Sequence, residues 1–123
     1  RIVGTDISAT VMEQMRQRHP ELEWEVSNAL DLQQFQDASF DFVFDKGMYD
    51  TLHALHNPSY HKRLFRTYCR VLRPGGFVGL VSYIAPKQMK SLLGVVFREI
   101  KATEIEEFVL YTAKNCFLRQ SEL

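Results

Sequence analysis

The sequence predicts an α/β fold in which helices pack on both faces of a doubly wound, mostly parallel β-sheet. Strand and helix patterns alternate along nearly all of its 123 residues. Two apolar runs, residues 2–6 and 40–45, end in a carboxylate, as expected of strands that lead into a ligand crevice. Two final β-prone segments, residues 95–100 and 107–112, predict a C-terminal antiparallel hairpin.

Clear helix and strand signals lie between the two apolar runs. Residues 9–18 carry apolar side chains at helical spacing and predict a helix that ends before Pro20. Ser8 or Thr10 can cap this helix, since both have a hydroxyl that accepts from a backbone N–H. In residues 22–26, apolar side chains alternate with glutamates, which predicts a half-buried strand at a sheet edge.

Helices and a strand also follow the second apolar run. Residues 49–55 predict a short helix, and residues 58–72 predict a longer one with an apolar stripe. The Pro-Gly-Gly sequence at residues 74–76 ends that helix and turns the chain into a strand over residues 77–83. Residues 86–93 predict one more helix, so the order of elements is typical of an α/β domain.

Charge and hydropathy exclude several classes of protein. Fifteen basic residues balance fifteen acidic ones, so the formal net charge is zero. A nucleic-acid surface built on bulk positive charge is therefore not expected. No apolar run approaches the roughly 20 residues of a membrane span, so a membrane protein is not expected either.

The positions of cysteine and histidine favour neither a disulfide scaffold nor a metal site. Cys69 and Cys116 lie far apart in sequence and match no metal-binding spacing. Since the sequence has no disulfide framework and no signal peptide, we expect a reducing, cytoplasmic location. His53, His56 and His61 cluster in sequence, but their spacing matches no common zinc ligand set, so we expect no metal.

Four short segments lie in a fixed order along the chain: IVGTDIS (residues 2–8), SNALD (27–31), SFDFV (39–43) and VLRPGG (71–76). Together they resemble the class I family of S-adenosylmethionine-dependent methyltransferases. The resemblance implies a Rossmann-like sheet and an enzyme that uses S-adenosylmethionine as its cofactor. It also implies that residues 1–123 form one partial domain, which begins at the family's second strand and lacks its first strand and glycine-rich loop.

In this family the first strand lies between the strands that correspond to residues 2–6 and 40–45. Without it, two inner sheet edges would have unpaired backbone groups. We therefore expect the natural protein to continue N-terminally by roughly 50 residues, the length of a βα unit and a leader. In residues 1–123 alone, we expect direct pairing of the two strands, a partner strand, or strand exchange with a second copy. The oligomeric state is otherwise open.

The resemblance places a cofactor site at the ends of the first strands. Asp6, followed by Ile7, ends a strand, where a carboxylate accepts hydrogen bonds from both ribose hydroxyls. The alternative is that Asp6 caps the next helix. The adenine contacts are expected to come from Asn28, Ala29 and Leu30. The side-chain oxygen of Asn28 can accept from the adenine amine, and Asp31 is the alternative acceptor.

Residues 45–50, Asp-Lys-Gly-Met-Tyr-Asp, lie at the end of a predicted strand. They resemble the Glu/Asp-Lys-Gly-x-x-Asp signature of a subgroup of protein-lysine methyltransferases, which includes enzymes acting on translation elongation factor one-alpha and on citrate synthase. The resemblance implies that Asp45 and Lys46 contact the cofactor. It further implies that Asp45 positions the substrate ammonium and that Tyr49 forms one wall of the substrate channel. The alternatives are a strand-end cap for Asp45 and simple packing for Tyr49.

The substrate implied by this signature is a lysine-bearing protein. Methyl transfer requires a neutral amine, whereas a free lysine has a pKa near 10.4, so the enzyme must align the amine after a proton leaves to water. A small-molecule methyltransferase of the same fold and a truncated, non-catalytic interaction module are the alternatives. A nicotinamide dehydrogenase would also use Asp6, but the later motifs do not support it.

Overall fold

A computed structural model describes residues 1–118, so the last five residues of the predicted domain lie outside the described residues. The chain divides into two compact units, with the boundary between Gln34 and Phe35. Each unit is described by itself below. The prediction of a single partial domain over residues 1–123 stays a prediction.

The first unit consists of two parallel strands and the helix that connects them. Its elements are β1 (Val3–Asp6), α1 (Ala9–Arg18) and β2 (Glu23–Val26). The strands pair in register from Val3 opposite Glu23 to Asp6 opposite Val26. Ser8 is the N-cap of α1, since its hydroxyl oxygen accepts from the backbone N–H of Val11 at 3.2 Å. All three predicted elements are confirmed.

The second unit is a four-stranded mixed sheet with three helices. Its elements are β3 (Phe40–Lys46), α2 (Met48–Ala54), α3 (Pro58–Val71), β4 (Leu72–Ser82), α4 (Pro86–Leu93), β5 (Phe97–Ile105) and β6 (Phe108–Cys116). The strand order is β3-β4-β6-β5. β3 and β4 are parallel, whereas β6 runs antiparallel to both β4 and β5. The predicted helices and the C-terminal hairpin are confirmed.

Two expectations about strands differ from the structure. β4 begins at Leu72 rather than at residue 77, because Leu72 already pairs with Phe40 before the Pro-Gly-Gly turn and a register irregularity follows. In the described residues β1 and β3 belong to separate sheets, so direct pairing, one of the three expected arrangements of these strands, is not formed. A partner strand and strand exchange stay predictions. The α/β class with its antiparallel hairpin is confirmed, and the pairing is mixed rather than mostly parallel.

The core of the second unit lies between the sheet and α3. Leu64, Tyr68 and Val71 of the predicted apolar stripe are buried, and Phe65 joins them at 1% exposure. On the sheet, Tyr111 of β6 is fully buried. Burial of these large side chains is the main force that holds α3 on the sheet. In the described part of the chain, no helix combines the length and the apolar character that crossing a membrane requires.

A disulfide joins Cys69 of α3 to Cys116 at the end of β6. The expectation that the sequence has no disulfide is therefore wrong. The two cysteines are 47 residues apart in sequence, but the packing of α3 against the sheet brings their Cα atoms to 6.0 Å. Sequence spacing does not reveal this approach, because it depends on how a helix docks on a strand that comes much later in the chain.

We expect reduction of this disulfide to lower the free energy of unfolding. In the loop-entropy model, a closed loop of this length stabilises the folded state by up to about 4 kcal/mol. Urea denaturation with and without a phosphine reductant measures the effect. The Cys69→Ser/Cys116→Ser variant is the control, and its stability should not respond to the reductant. Equal stability of oxidised and reduced wild-type protein would contradict the prediction.

Candidate functional site

Asp6 ends β1, and its carboxylate is exposed. Its Oδ1 accepts a hydrogen bond from the backbone N–H of Ser8 at 2.8 Å. Ser8 itself caps α1, so the alternative in which Asp6 is the helix cap does not hold. Within the described residues Oδ2 accepts no hydrogen bond, which leaves an acceptor open at the strand end. Ile7, which follows, is an exposed apolar side chain.

Asn28 lies just beyond β2, beside the end of β1. The neighbouring Ser27 donates its backbone N–H to the carbonyl of Asp6 at 3.0 Å, so the two strand ends are adjacent. The side-chain oxygen of Asn28 accepts from the backbone N–H of Leu30 at 2.9 Å. One of its two acceptor positions is thus used to shape the turn, and the other is left for a ligand.

Asp31, the alternative acceptor for adenine, also shapes this turn. Its Oδ1 accepts from the backbone N–H of Gln33 at 3.2 Å. Asn28 is exposed, whereas Ala29, Leu30 and Asp31 are half-buried. The residues predicted to contact the cofactor in this unit therefore lie at the carboxyl ends of two parallel strands. Ligands of open α/β sheets bind at this edge.

Asp45, near the end of β3, is buried, with 3% of its surface exposed. Its Oδ1 accepts from the backbone N–H groups of Met48 at 2.9 Å and Tyr49 at 3.4 Å, and so holds the first turn of α2. Its Oδ2 accepts from the hydroxyl of Tyr68 on α3 at 2.7 Å. One carboxylate thus connects a strand with two helices. Between strand and helix, Gly47 adopts a left-handed φ of 97°, which favours glycine.

The electrostatics of this carboxylate follow from its burial. Loss of solvation raises the pKa of Asp45, while hydrogen bonds from Tyr68 and from the two backbone amides partly oppose that rise. The pKa of Tyr68 also lies well above its usual value, first because the ring is buried and then because of the charge of Asp45. The pair therefore favours a phenol that keeps its proton and donates to the carboxylate.

Tyr49 is fully buried in α2 and does not line an open channel. Its ring stacks on Phe65 with centroids 5.2 Å apart, and its hydroxyl lies 3.5 Å from Nδ1 of His61. Burial, followed by the charge of Asp50, raises the pKa of Tyr49 to about 12. These contacts are those of a packing residue, which was the alternative to a channel wall for Tyr49. The predicted catalytic role stays a prediction.

Asp50, the last residue of the motif, connects α2 with the end of β4. Its Oδ1 accepts from the hydroxyl of Ser82 at 2.5 Å, and its Oδ2 accepts from the backbone N–H of Tyr83 at 3.2 Å. Ser82 is fully buried and also accepts from the backbone N–H of Ile84. The two carboxylates of the motif thus fix the first turn of α2, Asp45 from the end of β3 and Asp50 through the end of β4. Lys46, between them, is exposed.

Sequence reasoning missed Tyr68 and Ser82, the partners of these two carboxylates. Tyr68 belongs to the apolar stripe of α3, and Ser82 ends a β-prone run, so both fit a structural pattern without reference to the motif. The weak signal for each was a polar oxygen at a position predicted to be buried, which requires a partner. Their partners lie 23 and 32 residues away in sequence.

His53 and His61 stack with ring centroids 5.3 Å apart. Burial, followed by the proximity of His53, lowers the pKa of His61. Among the described residues, no three histidine, cysteine or carboxylate side chains gather in an arrangement that would hold a metal ion. His56, the third histidine of the sequence cluster, is exposed.

A family model described as a methyltransferase domain matches residues 1–80, which is well over half of the 123 residues. The chain belongs to this methyltransferase family. The match includes the ends of β1, β2 and β3 and the whole 45–50 motif. No curated protein sequence matches the chain.

Solved structures share its fold at low sequence identity. A SAM-dependent methyltransferase from Methanosarcina mazei has a TM-score of 0.71 and 18% identity, with 91% of this chain and 81% of that chain covered. The N-methyltransferase NodS from Bradyrhizobium japonicum, in complex with S-adenosylhomocysteine, has a TM-score of 0.67 and 17% identity, with 91% and 64% covered.

A third structure contains both a product and a substrate. The 1,6-didemethyltoxoflavin-N1-methyltransferase from Burkholderia thailandensis holds 1,6-didemethyltoxoflavin and S-adenosylhomocysteine. It has a TM-score of 0.71 and 13% identity, and the chain spans 60% of its length. These likenesses confirm the Rossmann-like methyltransferase fold. Together with the family match, they confirm the predicted methyltransferase class, whose methyl donor is S-adenosylmethionine.

We expect Tyr68→Phe to lower the free energy of unfolding by about 1–3 kcal/mol at pH 7, because a buried carboxylate loses a hydrogen bond. The raised pKa of Asp45 means that the folded state binds this proton more tightly than the unfolded state does. The contribution of Asp45 to stability is therefore greatest below its usual pKa and falls as pH rises through the raised value. The loss caused by Tyr68→Phe should accordingly be smaller near pH 4.

Urea denaturation at the two pH values measures this difference. Tyr83→Phe is the matched control, since Tyr83 is 65% exposed and no described residue accepts from its hydroxyl. A loss of the same size at pH 4 and pH 7 would contradict the prediction that the hydroxyl stabilises the charged form of Asp45.

Proposed function

We propose that the protein transfers a methyl group from S-adenosylmethionine to a lysine amine of a protein substrate. The observation that carries the proposal is the position of the 45–50 motif between β3 and α2, at the edge of the sheet where β3 and β4 end. We call this edge, with Asp45 and Asp50, the acidic edge. Asp45 and Asp50 are both held in place by hydrogen bonds. The charge of Asp50 adds to burial in raising the pKa of Tyr49 and of Tyr111, so the field at this edge is negative.

The chain's residues fit the adenosine part of the cofactor. The unpaired Oδ2 of Asp6 is an acceptor for a ribose hydroxyl, and the second acceptor position of Asn28 suits an adenine amine. Ala29 and Leu30 would lie beside the adenine ring, and Ile7 beside the ribose. Lys46 is proposed as a further cofactor contact because it is exposed at the end of β3. When bound, the cofactor would supply an electrophilic methyl group to a neutral amine, with S-adenosylhomocysteine as the leaving group.

The acidic edge would act on the substrate by attraction and orientation. An ammonium group is drawn to a fixed negative field, and its proton must then leave to water before the nitrogen can attack. Both oxygens of Asp45 accept hydrogen bonds within the protein, and Tyr49 is buried, so we propose that both act by positioning. Because the field also opposes loss of the proton, the rate of transfer should increase with pH in the neutral and alkaline range.

A small-molecule substrate is the competing function. The Burkholderia thailandensis structure of the same fold holds 1,6-didemethyltoxoflavin, which favours that alternative at the level of fold alone. A non-catalytic interaction module is the third alternative. A cytoplasmic location is proposed from the sequence alone, and the Cys69–Cys116 disulfide does not support it.

We expect Asp6→Asn to weaken the binding of S-adenosylhomocysteine to this chain by about 10-fold or more, since a charged acceptor of ribose hydroxyls is lost. Isothermal titration calorimetry measures the dissociation constant. Asp41→Asn is the matched control, since Asp41 is an exposed carboxylate of β3 whose ion pair with Arg73 lies on the surface. Equal weakening by both variants would contradict a specific role for Asp6. No binding to the folded wild-type chain would favour the interaction-module alternative.

We expect label from methyl-labelled S-adenosylmethionine to appear as methylated lysine when the protein is incubated with a heat-treated cell extract. Acid hydrolysis and amino-acid analysis of the protein fraction identify the product. The low-molecular-mass filtrate is counted in parallel. Label confined to the filtrate would overturn the protein-lysine assignment and support a small-molecule substrate. A rate that does not rise between pH 7 and pH 9 would contradict the requirement for a neutral amine.

A further inference from the structure

Two aromatic rings, one exposed and one half-buried, pair where β4 ends. Tyr83 is 65% exposed, and its ring centroid lies 4.5 Å from that of Phe108, the first residue of β6. Ile105, the last residue of β5, is 50% exposed and pairs directly with Phe108 across the hairpin. Large apolar side chains that remain together on a surface mark interaction sites more often than isolated ones do.

This pair lies at the edge of the sheet that holds the 45–50 motif. β6 is antiparallel to β4, with Ser82 opposite Val109, so the start of β6 is beside the carboxyl end of β4. β3 is parallel to β4 and ends at the same edge. Asp50 provides a direct connection, because its carboxylate accepts from the backbone N–H of Tyr83. A segment bound over the aromatic pair would therefore pass close to the acidic motif.

The tip of the hairpin that carries Phe108 is acidic. Residues 102–113 contain three glutamates and no lysine, arginine or histidine, whereas the whole hairpin, residues 97–116, has three basic residues against four acidic ones. The three side chains are exposed, and none forms an ion pair within the described part of the chain. They are Glu104, Glu106 and Glu107. After burial and the charge of Asp50, the charge of Glu104 also raises the pKa of Tyr111.

We name this area the hairpin surface; it consists of Tyr83, Ile105 and Phe108 with Glu104, Glu106 and Glu107. We propose that the hairpin surface binds a lysine-containing basic segment of the protein substrate and so brings a lysine to the acidic edge. The inference rests on the proposed function and adds the recognition site. The aromatic faces suit lysine side chains through their apolar stems and through cation–π contact.

Charge complementarity decides between this occupant and others. The three glutamates at the hairpin tip attract a basic peptide, whereas they repel nucleic acid and anionic lipid. A small neutral metabolite would gain nothing from three charges spread along a hairpin. The attraction is between exposed charges and should therefore weaken as salt increases.

The test uses a fluorescein-labelled 12-residue peptide of repeated Lys-Leu-Gly units. Its binding to the whole chain is measured by fluorescence anisotropy at low and physiological salt. A peptide with glutamate in place of each lysine is the charge control. In parallel, nitrogen-15 NMR spectra identify the amides that shift. We expect the lysine peptide alone to bind, with the largest shifts at Tyr83, Ile105 and Phe108.

Two variants test the two parts of the surface. Glu106→Gln/Glu107→Gln should weaken binding of the lysine peptide about fivefold, given the usual size of exposed charge contacts. Tyr83→Ala should weaken it about fivefold or more through loss of the aromatic face. The matched control is Glu13→Gln/Glu21→Gln, which removes two exposed glutamates from the first unit and should change binding less than twofold.

The outcomes separate this inference from the proposed function. If wild-type protein methylates the lysine peptide but the hairpin variants leave its KM unchanged, the hairpin surface is not the docking site and the proposed function stands. If the peptide binds at the hairpin surface but receives no methyl group, docking stands and the lysine-methyltransferase proposal fails. Equal binding of the glutamate peptide, NMR shifts elsewhere, or equal weakening by the first-unit control would each overturn the inference.

Discussion

The arrangement of the second unit depends on how it accommodates one buried charge. Asp45 is almost wholly removed from solvent, and an unpartnered carboxylate in that place would be strongly unfavourable. The backbone amides of Met48 and Tyr49 and the hydroxyl of Tyr68 provide its partners. Met48 and Tyr49 belong to α2 and Tyr68 belongs to α3, so both helices must pack where these groups reach the carboxylate. Satisfying this carboxylate therefore fixes the start of α2 and the depth at which α3 packs.

The same constraint links stability to chemistry. Once Asp45 fixes the start of α2, Asp50 is carried to the end of β4, where Ser82 and the Tyr83 backbone complete its hydrogen bonds. The acidic character of this edge is thus built from groups that also hold the fold together. A substitution at either carboxylate would change folding, so its effect on the proposed activity could not be separated from loss of structure.

Much of the fold was predictable from the sequence, because local patterns specify local structure. The helical spacing before Pro20 and the alternation in residues 22–26 each led to an element that the structure contains, whereas the Pro-Gly-Gly sequence, predicted as a turn, lies within β4. In the candidate site, the sequence also predicted which strand ends carry Asp6 and Asp45. It did not predict that β4 starts at Leu72, since that depends on a register with β3.

The sequence by itself determined the α/β class, the order of the elements, the methyltransferase family resemblance and the candidate acids at the strand ends. Only the tertiary structure decided what those acids touch: the Tyr68 hydroxyl for Asp45, Ser82 for Asp50, and an open oxygen on Asp6. It also joined Cys69 to Cys116, which their spacing did not suggest. Periodicity and motifs are properties of neighbouring residues, whereas these contacts depend on how distant elements pack, which burial of apolar surface decides.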